Sequence, residues 1–201
     1  MIYAGIALLA LLLTACDGGD PNSQPPPRTT GWEIGPVMDG QNFSKNCPTT
    51  FTDTFTIGPC EPHYVTRATG PLTGKTQVSL RFKLEGDKLH GASPECSKGP
   101  ATLDLHFSAN VLGEQWEVGR WWASFAQVSN LSPGEYSVTA PFSGRWTAVV
   151  TSNAHDSPEA FKTALAKADR IGFTFGDCTG RGHGVASHGQ TRFTLLEWAV
   201  E

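Results

Sequence analysis

The chain has 201 residues, with 22 Gly and 14 Pro, and only 17% of its residues are charged. That length suffices for one domain with its own core, and a turn-rich, charge-poor composition argues for an all-β domain over a helical bundle. A net charge of −4 argues against a basic nucleic-acid-binding surface, so no nucleic-acid partner is expected.

Ile2 to Leu13 is an apolar run too short to span a bilayer as a helix but suited to the core of a signal peptide. It lacks the Lys or Arg of an ordinary signal-peptide start, which leaves open where the natural chain begins. The run ends in Leu13-Thr14-Ala15-Cys16, which resembles a bacterial lipobox. That resemblance implies cleavage before Cys16 and lipid on Cys16, against the plainer alternative of an ordinary cleaved signal with an incidental cysteine. Asp17 directly after it resembles an inner-membrane retention signal of enterobacterial lipoproteins. Residues 1–16 are therefore expected to be a lipoprotein signal. Residues 17–30, with Pro25-Pro26-Pro27, are expected to be a semi-rigid linker, and 31–201 the globular domain. A bacterial cell-envelope location and a membrane partner through the lipid follow.

Four further cysteines remain: Cys47, Cys60, Cys96 and Cys178. An even number in an exported domain predicts disulfides, and the absence of any C-x-x-C argues against a zinc site. Spacing and turn placement favour Cys47–Cys60 and Cys96–Cys178 among the three possible connectivities. In the chain-entropy treatment these contribute about 3 and about 4–5 kcal/mol.

Trp32 to Val37 reads as a first strand ending in the turn Met38-Asp39-Gly40. Phe51 to Ile57 alternates, and His63 to Arg67 is a possible short strand. Val78 to Glu85 is the cleanest: Val78, Leu80, Phe82 and Leu84 on one side, Ser79, Arg81, Lys83 and Glu85 on the other. Thr102 to Phe107 repeats the pattern, with Asp104 and His106 sharing the outer face. Between them Gly86 to Pro100 reads as a polar loop. Trp121 to Val128 is apolar on both parities and so is expected to be covered on both faces. Glu135 to Ala140 and Trp146 to Val150 are further strands. Asp156-Ser157-Pro158-Glu159 starts a helix, with Ser157 as cap and Pro158 at its first position. Phe161, Ala164, Leu165 and Ala168 then share one face, so one short helix is predicted at about 157–168. Ile171, Phe173 and Phe175 mark a buried strand. Gln190 to Val200 closes the domain, with a parity shift near Leu195-Leu196 that predicts a bulge.

These elements add up to an antiparallel β-sandwich or jelly roll. Gly134-Glu135-Tyr136-Ser137-Val138, Trp146 to Val149, the helix from Pro158 to Ala168, Ile171-Gly172-Phe173-Thr174-Phe175-Gly176 and Arg192 to Leu196 together resemble the C-terminal half of galactose-binding-like jelly-roll domains, as in bacterial carbohydrate-binding modules. The resemblance spans about Arg120 to Val200. It implies the fold and, less directly, sugar binding; a structural Ca²⁺ is common in such modules.

Gly180, Gly182 and Gly184 alternate with Arg181 and His183 in a loop that begins at Asp177 and Cys178. The loop runs on towards another strand instead of opening a helix, which argues against a nucleotide-binding loop. It is either a structural turn or a recognition loop offering Asp177, Arg181 and His183. If Trp122 is in the core, Trp121 faces outward, where with Arg120 nearby it would serve as a stacking platform for a pyranose; the helix covering it is the alternative. Asp104 and His106 are either a solvated surface pair or an acid–base pair. Arg81 and Lys83 would neutralise Asp104 if their strands were neighbours. His183 and His188 lack an evident third metal ligand. Asp39, Asp53 or Glu33 would supply oxygens to a Ca²⁺, though none forms a recognisable loop. Ser187 misses the nucleophile motif because Val185 stands where glycine is required.

The expected function is that of an envelope-anchored, non-catalytic binding domain for a carbohydrate or glycan, with contacts from Trp121, Asp177, Arg181, His183, Asp104 and His106 and no cofactor. Two alternatives stay open: a structural or protein-interaction lipoprotein without a small ligand, and a glycan-active hydrolase or lyase.

Overall fold

A computed structural model describes residues 31–35, 43–109, 119–149 and 153–201. The signal segment with Cys16, the linker 17–30, and the turn with Asp39 lie outside the described residues. In chain order the strands are β1 (Trp32–Ile34), β2 (Thr50–Phe51), β3 (Thr54–Ile57), β4 (Tyr64–Ala68), β5 (Gln77–Gly86), β6 (His90–Gly91) and β7 (Thr102–Ala109). They continue with β8 (Arg120–Trp122), β9 (Val128–Ser129), β10 (Gly134–Pro141), β11 (Thr147–Ala148), β12 (Ala168–Gly176), β13 (Val185–Ala186) and β14 (Thr191–Val200), and one α-helix, α1 (Pro158–Ala166), precedes β12.

Two antiparallel sheets stack into a sandwich. The larger, eight-stranded sheet runs β11-β8-β7-β12-β4-β1-β2, with β9 pairing the far end of β7; the smaller runs β10-β5-β14-β3. The alternating sequences dictate the core. Phe173 and Phe175 of β12 project inward against Phe193 of β14, at ring separations of 5.2 and 6.0 Å, and Phe193 stacks on Phe55 and Phe82. The register of β14 on β5 slips between Leu195 and Glu197, at the predicted bulge.

Helix α1 closes the sandwich beside β7 and β8 through Phe161, whose ring lies 4.9 Å from Trp121 and 5.8 Å from Phe107. Pro158 does open the helix, but the Ser157 side chain makes no capping bond. The Asn153 side chain instead accepts from the backbone N–H groups of His155 and Asp156 just ahead of it. Ala168 already belongs to β12, two residues past the helix end.

Two of the expected strands are broken. Phe51 to Ile57 is split at Thr52-Asp53, so that β2 joins the larger sheet and β3 the smaller. The Trp121–Val128 stretch leaves the sheet at Ala123, passes through a 3-10 turn at Ser124–Ala126, and returns as β9 opposite Thr102 and Leu103. The disulfides are Cys47–Cys60 and Cys96–Cys178. The second fastens the segment after β6 to the start of the glycine-rich loop, between two stretches 82 residues apart in sequence.

Candidate functional site

The outward face of the larger sheet is polar by sequence yet covered in the structure. Every residue of β7 is buried: Leu103, Leu105 and Phe107 on the sandwich side, and Asp104 (0% exposed), His106 (1%) and Ser108 on the other. The cross-strand register sets His106 beside Trp122 of β8 and Gly172 of β12, and Thr174 between Asp104 and Tyr64. Sequence alternation thus places Tyr64, Thr66, Asp104, His106, Ser108, Arg120, Trp122, Arg170 and Thr174 on one surface.

The glycine-rich loop between β12 and β13 lies over this surface. Asp177 anchors it. One carboxylate oxygen accepts from the Thr179 N–H (2.8 Å), the Thr179 hydroxyl (2.6 Å) and the Gly180 N–H (3.3 Å); the other accepts from the Ser93 hydroxyl and N–H. Burial alone would raise the Asp177 carboxyl, but these bonds outweigh it and hold the group below its ordinary range. Asp177 is therefore engaged within the loop through both carboxylate oxygens. Gly182 and Gly184 adopt φ of +73° and +85°, and a Cβ on them would meet Tyr64 Oη and the His63 ring at 2.5 Å. Only glycine lets the loop lie directly on these two side chains. His63 fixes it further, Nδ1 donating to the Gly182 carbonyl at 2.9 Å.

Arg181 reaches from the loop across the face. Its Nη1 donates to the hydroxyls of Ser124 (2.7 Å) and Thr147, and its guanidinium lies 5.0 Å from the Trp122 ring centre. Burial lowers the Arg181 pKa, against the pull of the nearby Asp104 charge. Arg120 lies over the other part of the same indole at 5.9 Å and donates to Tyr64 Oη at 3.3 Å. The Trp122 indole N–H donates to Thr174 Oγ1 at 3.1 Å, which locks the ring plane. Burial raises the Tyr64 phenol more than Arg120 and Arg181 pull it down, so it stays protonated.

These groups wall a cavity of about 520 Å³, within the usual range for small-molecule sites. Tyr64, Trp122, Phe43, Val149 and Pro94 give it apolar surface; Lys45, Arg120 and Arg181 give it donors, and His63 and His183 complete the wall. His183 is half exposed at the rim. The Thr179 hydroxyl donates to Asp177, so it accepts from His183 Nδ1 at 2.7 Å. Burial lowers the His63 pKa. A second, more open hollow lies on the far side of Arg181, bordered by Thr102, Gln127 and Thr179.

Arg181 and His183 line the cavity, and the other candidate residues lie elsewhere. Trp121 is fully buried on the sandwich side against Phe161, so the ring on the outward side of the sheet is Trp122: the parity of the strand is the reverse of the one expected. Asp104 and His106 share a face, but it is not wet. Asp104 accepts from Gln127 Nε2 at 2.9 Å, and burial raises its carboxyl despite Gln127 and Arg181. Arg81 and Lys83 do not neutralise it, because β5 belongs to the other sheet, where they pair with Glu197 and Glu85. His106 lies behind the cavity, its ring 5.4 Å from Tyr64 and 4.9 Å from Trp122. Neither of its nitrogens has a hydrogen-bond partner among the described residues. Burial, then the charges of Arg120, Arg181 and Arg170, push its pKa well down, so it is neutral.

Among the described residues no three His, Cys, Asp or Glu side chains converge as metal ligands. His188 stacks on His90 at 4.3 Å rather than joining His183, and Glu33 is paired with Arg170 at 2.9 Å. Tyr64 and His63 were invisible as site residues in the sequence; the signal was the pair of loop glycines, which need something beneath them to lie on. The chain matches no protein-family model and no curated protein.

Proposed function

We propose that this domain binds a carbohydrate or glycan, without turning it over, in the cavity between the glycine-rich loop and the outward face of the larger sheet, and that lipid on Cys16 holds it at the bacterial envelope. The observation that carries this reading is the pairing of two nearly buried aromatic side chains, Tyr64 and Trp122, with the guanidinium groups of Arg120 and Arg181 around one small-molecule-sized cavity. Aromatic faces take the apolar face of a sugar ring, and the surrounding donors take its hydroxyls. The resemblance of the 120–200 region to galactose-binding-like domains points the same way. A binding role rather than glycoside hydrolysis fits the lining. Hydrolysis ordinarily needs two carboxyl groups across the scissile bond, and the described lining residues include none.

The test is affinity electrophoresis of the full-length chain through gels loaded with different polysaccharides. At least one is expected to retard it, and Trp122→Phe, which preserves packing but shrinks the platform, is expected to reduce that retardation. Free migration in every gel defeats the sugar reading, and product formation from a retarding polysaccharide defeats the non-catalytic one. Intact-mass measurement of the chain from membranes tests the anchor: an unmodified Cys16 overturns it.

A further inference from the structure

We infer that the ligand of this cavity is an acidic saccharide, its negative charge a carboxylate or a sulfate ester, and that Arg181 selects for the acid. The inference rests on the glycan reading above and narrows it. The titratable residues on the cavity wall are Lys45, Arg120, Arg181, Tyr64 and two histidines; no Asp or Glu lines it among the described residues. Among the described residues the carboxylates nearby are engaged elsewhere. Glu61 holds Lys45 at 3.4 Å, and Asp177 is bonded by Ser93 and Thr179. Asp104 faces Arg181 from behind, where it accepts a bond from Gln127.

Arg181 is the pivotal group. Both of its hydrogen bonds use Nη1 and end on neutral hydroxyls, and it makes no salt bridge among the described residues. Among the described residues the Nη2 and Nε donors make no hydrogen bond, on a side chain held in place by two bonds and by the face of Trp122. A guanidinium fixed in this way presents a fork of parallel donors, which suits the paired oxygens of an anion better than a single sugar hydroxyl. Its half-buried position makes an unpaired charge costly, and an anion entering the cavity offsets that cost. Phe43, Pro94 and Val149 on the cavity wall leave apolar surface for the saccharide ring that carries the charge.

The experiment is isothermal titration of the full-length chain with four matched oligosaccharides: a uronate oligomer, its methyl ester, a sulfated oligomer and its unsulfated parent. One acidic member is expected to bind at least about tenfold tighter than its neutral counterpart, the scale of a charge-assisted hydrogen bond. That preference should shrink as salt is raised. The winning pair identifies carboxylate or sulfate as the charge. Arg181→Gln should weaken the acidic member far more than the neutral one and bring the ratio close to one, and Arg181→Lys should retain part of the preference. Arg120→Gln provides a second variant if loss of the Arg181 bonds to Ser124 and Thr147 disturbs the fold. Equal affinity for acidic and neutral members overturns the acid inference and leaves the glycan reading standing. So does a preference that survives in both Gln variants. Binding of none of the four, together with free migration in every polysaccharide gel, removes the glycan reading and this inference with it.

Discussion

Strands β5 and β7 carry nearly interchangeable patterns, with apolar residues on one parity and polar ones on the other, yet their outward faces differ. On β5, Arg81 and Glu85 are exposed and Ser79 and Lys83 half-buried, and the ion pairs Arg81–Glu197 (3.7 Å) and Lys83–Glu85 (2.8 Å) sit in water. On β7, Asp104, His106 and Ser108 are sealed under Trp122 of the neighbouring strand and the loop that carries Arg181. Alternation reports only which side chains leave the sandwich core. Whether they arrive in water depends on what the connections place above them, and here a connection 70 residues downstream of β7 does so. Polar groups on the covered face must find partners or become costly, whereas those on the open face are solvated without help.

The sharpest way to break this contrast is to crowd the covered face. A Cβ on Gly172, beside His106, would meet the Val65 carbonyl at 2.1 Å. Gly172→Val is expected to cost about 3 kcal/mol or more in chemical denaturation; a near-neutral result would show that this face is looser than described. Next is the anchor of the cover. Asp177→Asn removes the charge from the carboxylate bonds at Ser93 and Thr179 and should cost about 1.5–3 kcal/mol, with faster amide exchange at Thr179 and Gly180.

His106 makes the contrast depend on pH. Its folded pKa lies below the unfolded value of about 6.5, so the unfolded chain takes up a proton that the folded chain refuses. Its full contribution to stability is present above that value. As the pH falls below it, stability should drop by up to about 1.4 kcal/mol per unit. His63, also lowered, acts in the same sense. Denaturant melts of His106→Leu across pH 7 to 5 should show a flatter profile than the parent chain, and an unchanged slope would contradict the neutral, buried imidazole. The smallest effect belongs to the open face: Arg81→Ala should shift stability by about 0.5 kcal/mol or less, because an exposed pair 3.7 Å apart is worth little.

The fold was largely legible because β5 buries one strict parity, because β12 carries Ile171, Phe173 and Phe175 at alternate positions, and because four cysteines in a turn-rich chain leave few pairings. The site was legible only in part. The loop glycines, Arg181 and His183 pointed to it, since glycine and charge alternating beyond a buried strand are hard to explain as core. The platform was misassigned because Trp121 and Trp122 are both large, apolar and covered, so parity could not say which faces the sandwich. Tyr64 looked like an ordinary residue of a short strand, and nothing local to it encodes a loop arriving from 118 residues away.

The Cys96–Cys178 bridge gives the cavity a dependence on its surroundings. The sheets are held by inward-facing aromatic residues, with the Cys47–Cys60 bridge packed into the same core. The cover over the polar face is tied down at Cys178, next to Asp177 and a few residues before Arg181, and the strap that completes the wall carries Cys96 beside Ser93 and Pro94. A copy of this chain with reduced thiols would lose the tie between the glycine-rich loop and the strap that carries Ser93 and Pro94.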